Sequence, residues 1–150
     1  MNIDTKDKHD LSLKLFIVLS RASIWLSKHS DRQISNHGLT TTEFAVLELL
    51  YHKGTKPLQQ IGEKILTSNA NTTYVIDKLE KKELITRRRC QTDRRTIYAE
   101  LTEAGYAFIE EIFPEHKQII TEATAGLTEE EMKQAITLLK KVGLYAKEHF

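Results

Sequence analysis

Residues 67–101 read TSNANTTYVIDKLEKKELITRRRCQTDRRTIYAEL, and the fold turns on this stretch. Val75, Ile76 and Leu79 fall at helical spacing, so the first half predicts a short helix with one buried face. Ala70, Tyr74 and Lys78 fall on the opposite face, and the small polar residues Ser68, Asn69, Asn71, Thr72 and Thr73 crowd the start. The period then changes. Leu84-Ile85 opens one extended run, Thr96–Leu101 forms another, and the polar Gln91-Thr92-Asp93 between them predicts a hairpin turn. From Lys81 to Tyr98 there are seven Lys or Arg and two acidic residues, a local net charge of +5 in a chain carrying +1 overall. A helix with small polar residues at its start, followed by a basic hairpin, suits a DNA duplex. The helix enters the major groove, and the cationic loop tracks phosphates or the minor groove beside it.

Working outward, residues 40–101 predict a winged helix-turn-helix. Gly38 marks a helix stop, and Thr40-Thr41-Thr42-Glu43 offers hydroxyl caps with an acid in the first turn. The helix that follows carries Phe44, Leu47, Leu50 and Tyr51 inward and ends at Lys53-Gly54. Pro57-Leu58 opens a short helix through about Leu66 that buries Leu58, Ile61 and Ile65, and 67–69 supplies the turn into the second helix of the pair. Before this unit, residues 10–37 form one long helix with Leu11, Leu15, Val18, Ala22 and Trp25 on a stripe that Phe16, Leu19 and Leu26 widen. After it, Thr102 caps a helix that meets Pro114, where a kink or break is expected. Gly126 interrupts, and Thr128-Glu129-Glu130-Glu131 begins a last amphipathic helix. The fold class is thus mainly α with a small β-hairpin. Segments 1–38 and 102–150 carry apolar faces wider than the small reader can cover, which reads either as a helical dimerisation body or as intramolecular packing of these helices on one another.

Several motifs resemble the MarR family of bacterial transcriptional regulators. They are Val75-Ile76-Asp77-Lys78-Leu79-Glu80-Lys81-Lys82, Asp93-Arg94-Arg95 and Leu101-Thr102-Glu103-Ala104-Gly105, and nearly the whole chain can be laid on the family pattern. The resemblance implies a homodimer that binds a palindromic operator. It also implies an aspartate, Asp93, that holds the wing turn and bridges to an arginine, with Arg94 contacting DNA from the tip. Tyr74 departs from the family, standing where many members have an arginine that faces DNA. Glu83 departs too, standing where a glycine usually ends the recognition helix, so that cap must be made another way. Residues 42–54 and 57–62 are similar to the branch that responds to hydroquinones and quinones.

Composition narrows the function classes. Hydrophobic content of 40% with 29% charge argues against disorder. No apolar run approaches a membrane span, and the polar N-terminus has no signal-peptide core. A single cysteine excludes an intramolecular disulfide and fits a reducing cytoplasm. Glu103 to Glu131 holds eight Glu and one Lys, so the acidic body and the basic wing face different surroundings. No phosphate loop, HExxH, cysteine pair or nucleophile elbow is present, which argues against an enzyme, and no cofactor or metal is implied. Glu115-His116 reads as a solvated helix face rather than a metal site.

The expected DNA contacts are Ser68, Asn69, Asn71, Thr72, Thr73, Tyr74, Lys78, Arg88, Asp93, Arg94 and Arg95. Trp25, His29, His37 and Phe44 are candidates for lining a pocket for a small phenolic or quinone ligand. Cys90, with arginines on both sides, should favour its thiolate, and it reads either as an electrophile sensor or as a bystander. Two functions remain open at this point: a dimeric repressor released by a small aromatic ligand or electrophile, and a ligand-insensitive architectural or accessory DNA binder.

Overall fold

A computed structural model describes residues 8–65 and 68–150. The order is α1 (Lys8–Asn36), α2 (Thr41–Lys53), β1 (Lys56–Pro57), α3 (Leu58–Lys64), α4 (Asn69–Lys81), β2 (Ile85–Arg89), β3 (Ile97–Leu101), α5 (Glu103–Ala123) and α6 (Glu129–Glu148). The expected start of the chain, together with Leu66 and Thr67 in the interhelical turn, lies outside the described residues.

Caps set these boundaries. The hydroxyls of Thr40, Ser68, Thr102 and Thr128 each accept a backbone N–H three residues on, and Thr128 forms a full capping box with Glu131. Helix α1 ends where Gly38 takes φ 72°, with the Leu39 N–H bonded to Ile34 O and the Gly38 N–H to Ser35 O. Helix α4 ends in the same hydrogen-bond pattern without a glycine. Glu83 adopts φ 61°, the Leu84 N–H reaches Leu79 O, and the Glu83 N–H reaches Glu80 O. This is the cap that had to be made another way.

The sheet has order β1-β3-β2, with Lys56 opposite Ala99 and Ile85 opposite Leu101, all antiparallel. The hairpin is as read from the sequence, but the third strand was not. Two residues carry too little pattern to show themselves, and β1 exists because β3 offers a free edge. Pro114 does not break its helix: α5 runs through it from Glu103 to Ala123.

The core lies where α2, α4, α5 and the sheet meet. Leu47, Leu50, Ile61, Ile76, Leu79, Ile85, Ile109 and Ile112 are fully buried there. Each such side chain contributes about 1.5–3 kcal/mol of burial. Leu58, Ile65 and Tyr51 pack at the margin rather than inside. The terminal helices are the reverse case. Leu11, Leu15, Phe16, Val18, Trp25 and Leu26 of α1 stand exposed, as do Ile136, Leu139, Val142 and Leu144 of α6.

Candidate nucleic-acid interface

The first turns of α4 and the tip of the hairpin make up the candidate site. Ser68 starts α4 by accepting the Asn71 N–H at 3.1 Å. Thr73 and Tyr74 are exposed on the outer face, and the Lys78 ammonium lies 4.7 Å from the Tyr74 ring centroid. The Asn69 side chain lies outside what is described.

Thr72 is corrected. It is 2% exposed, and its hydroxyl donates to Ser68 O at 2.9 Å, so it braces the first turn from inside. The spacing contained the signal: Thr72 precedes Val75 by three and Ile76 by four, which puts it on the buried stripe.

In the wing, Asp93 closes the turn. Its Oδ1 accepts the Arg95 backbone N–H at 3.0 Å, and its Oδ2 accepts the Thr96 hydroxyl at 3.2 Å. The expected bridge to an arginine is therefore made to the arginine's backbone rather than its guanidinium. Arg94 and Arg95 are left exposed at the tip. The three strand arginines divide by the alternation of the strand. Arg87 faces α4 and is ion-paired with Asp77, which joins the wing to the recognition helix. Arg88 faces the other way, 3.8 Å from Glu100 and over the ring of its cross-strand partner Tyr98. Neither the Arg87–Asp77 pair nor its role was visible in the sequence, because the two residues meet only once the sheet is folded.

A second link fastens the other end of α4. Lys82 Nζ donates to Gly38 O at 2.9 Å and to Glu43 Oε2 at 2.5 Å. Glu43 is 2% exposed, and its backbone N–H is capped by Thr40. A carboxylate so buried requires a paired cation, and Lys82, itself partly exposed, supplies it.

Cys90 sits at the base of the wing loop with its Sγ 3.2 Å from the Thr92 hydroxyl. Hydrogen bonding from the Thr92 side chain, then from the backbone N–H groups of Asp93 and Thr92, holds the thiol below its ordinary value. The direction matches the expectation, but the cause differs. Local hydrogen bonds do the work that was assigned to the arginines, and the Asp93 charge opposes them.

The four candidate pocket residues do not converge. Phe44 is 3% exposed in the core with its ring 4.6 Å from that of His116, and Trp25 is 62% exposed on α1. His29 alone of the four lines a cavity of about 400 Å³ between α1 and α5, with Gln33, Glu115 and Ile119 among the other walls. His37 touches it indirectly, through a 3.0 Å bond between its Nε2 and Glu115 Oε2. His116 is not on a solvated face. It is half-buried against Phe44 and Phe113, and burial pushes its imidazole below the ordinary value. Among the described residues there is no group of three or more His, Cys, Asp or Glu able to hold a metal ion.

Residues 39–97 match the model of the MarR family. The HTH-type transcriptional regulator MhqR of Bacillus subtilis (strain 168) is 54% identical over 137 residues, covering 91% of this chain and 94% of that one. The chain belongs to the MarR family. Its relatives are transcriptional regulators, and the MarR architecture extends to the whole molecule. AbsC, a MarR family regulator from Streptomyces coelicolor, superposes with a TM-score of 0.84 at 19% identity, covering 96% of this chain and 99% of that one. The structure of Bordetella bronchiseptica BpsR, described for regulation of its DNA binding by 6-hydroxynicotinic acid, gives a TM-score of 0.79 at 27% identity. The match covers 87% of this chain and 98% of BpsR. No helix among the described residues is long and apolar enough to cross a membrane.

Proposed function

We propose that this MarR family regulator is a cytoplasmic homodimeric repressor that binds a palindromic operator and is released by a small aromatic or quinone-type molecule. The observation that carries the DNA reading is the wing tip. Arg94 and Arg95 stand exposed beside the open face of α4, on a turn that Asp93 holds through its neighbours' backbone and hydroxyl groups. A loop made rigid in this way presents its guanidinium groups at a small entropic cost, and an arginine at a hairpin tip enters a narrow, negative minor groove readily. Thr73, Tyr74 and Lys78 supply the major-groove face, with Ser68 and Asn71 near the phosphates. Dimerisation is supported by the apolar faces of α1 and α6, whose large side chains stand exposed along both helices. Release by a ligand is supported by kinship with regulators such as BpsR and by the resemblance of residues 42–54 and 57–62 to the quinone-responsive branch.

The test is a pair of salt titrations, operator against scrambled DNA, for wild type, Arg94→Ala and Lys78→Ala. Arg94→Ala should weaken operator binding by roughly 1–3 kcal/mol and scrambled DNA by less. Lys78→Ala should weaken both alike and reduce the salt slope by about one unit. Unchanged operator affinity in Arg94→Ala would remove the wing from the mechanism. Sedimentation in the same buffer should show a species of about twice the 17.3 kDa chain.

A further inference from the structure

Helix α4 contains no arginine, and its cations, Lys78 and Lys81, stand in its last turn. Its first two turns therefore lack the side chain that most often reads guanine, a cation placed for the O6 and N7 acceptors. What they offer instead is largely apolar. Ala70, Thr73 and Tyr74 are all exposed, and their spacing of three and four residues sets them side by side on one face. Val75, Ile76 and Leu79 are buried on the other side of the helix, so this face is turned away from the protein. Tyr74 dominates it, with 56% of its surface exposed. The ring is braced at one side by the Lys78 ammonium, 4.7 Å from its centroid, which leaves less rotamer freedom to lose when the ring is covered. An alanine methyl, a threonine methyl and an aromatic ring match one feature of the major groove, the C5-methyl group of thymine.

We propose that Tyr74, with Ala70 and Thr73 beside it, is the specificity-determining residue of α4 and selects thymine through its C5-methyl group. The ring lies against that methyl and removes both from water, a gain that cytosine, which has no methyl there, cannot supply. A purine in the same place sets the N7 edge of its base against the ring, and a polar group buried without a partner is penalised. Selection thus works from both directions: one apolar match is rewarded, and a polar edge is left unsatisfied. The phenolic hydroxyl takes no part in the choice, because the methyl meets the carbon face of the ring. The inference rests on the reading of the protein as a sequence-specific DNA binder and names the base feature it recognises.

The probe is a duplex selected from a random-sequence pool by the full-length protein. Each thymine of one half-site is then replaced singly by deoxyuridine, which removes the methyl and keeps every hydrogen-bonding group of the base pair. At least one replacement should weaken wild-type binding about fourfold, the effect of losing one buried methyl-sized group. Tyr74→Phe should keep that ratio, and Tyr74→Ala should bring it to about one. Titration at low salt keeps the Tyr74→Ala complex measurable, since phosphate contacts then hold it. Any change that the missing methyl makes to the duplex itself acts on all three proteins, so only a direct contact gives a ratio that vanishes with the ring. Indifference of the wild type to every replacement, an equal loss in Tyr74→Ala, or loss of the ratio in Tyr74→Phe would overturn the proposal. Those outcomes leave the DNA reading intact, because the selected duplex is still bound. A pool in which no sequence is enriched would overturn both.

Discussion

Gly105 offers a sharp test of how the wing is joined to the body. It stands in the first turn of α5, and a Cβ built on it would lie 2.1 Å from Leu84 O, 3.1 Å from Leu84 C and 3.2 Å from Leu101 Cδ2. The nearest obstacle is backbone, so no side-chain rotation relieves it. The same Leu84 carbonyl accepts the Thr102 N–H at 3.1 Å, and the Glu83 carbonyl accepts the Thr102 hydroxyl at 2.6 Å. To admit a methyl group, the start of α5 must retreat by about 1 Å from the start of β2, which stretches these bonds towards the edge of hydrogen-bonding range. Overpacking of this kind costs about 1–3 kcal/mol, and a weakened buried hydrogen bond adds about 1 kcal/mol. Against this, Gly→Ala inside a helix returns about 1 kcal/mol of propensity. The net expectation for Gly105→Ala is a loss of about 1–3 kcal/mol, read as a lower midpoint in urea at fixed protein concentration and unchanged slope. The sign decides. If Gly105→Ala were as stable as wild type or more so, propensity would have won, and the close approach of α5 to Leu84 would not be a real constraint.

Two other substitutions probe features that the fold makes unusual. Glu83→Gly relieves a side chain held at positive φ, worth about 1–2 kcal/mol, and gives back about 0.4–1 kcal/mol in unfolded-state freedom. It should therefore raise the urea midpoint slightly, and a lowered midpoint would show that the Glu83 side chain contributes to the cap. Thr92→Val removes the hydroxyl that most favours the Cys90 thiolate, so the pH at which Cys90 alkylation half-develops should move upward. An unmoved midpoint would return the effect to the neighbouring arginines.

The caps and the change of period were legible because they are local. Thr40, Ser68, Thr102 and Thr128 announce helix starts within four residues of chain, and Ile97–Leu101 shows its alternation without help. What stayed hidden depends on partners distant in sequence. Phe44 is inward as its spacing predicts, but whether it faces the core or a pocket could not be read from α2 alone. That helix buries Glu43, Phe44, Val46, Leu47 and Leu50, which together go most of the way round, so no single inward direction emerges. The Asp77–Arg87 and Glu43–Lys82 pairs are invisible for the same reason. Thr72 is a different failure. Its phase on the helix, three before Val75 and four before Ile76, marks it as buried, and its polarity points the other way.

The Lys82 link has a mechanical consequence. Helix α4 is tied at its C-terminal end to the Gly38 turn and to the start of α2, while its N-terminal turn carries the candidate DNA contacts. A rod of this kind behaves as a lever with its pivot at Lys82. With 13 residues in α4, the arm is about 18 Å long, so a tilt of about 10° moves the far end by about 3 Å. That displacement is comparable to a whole hydrogen-bond length. Gly38 is one residue from His37, which grips Glu115 on the wall of the α1–α5 cavity. A tilt about Lys82 would thus move the N-terminal turn of α4 by a distance that matters for hydrogen bonding, with no helix melting and no strand unpairing.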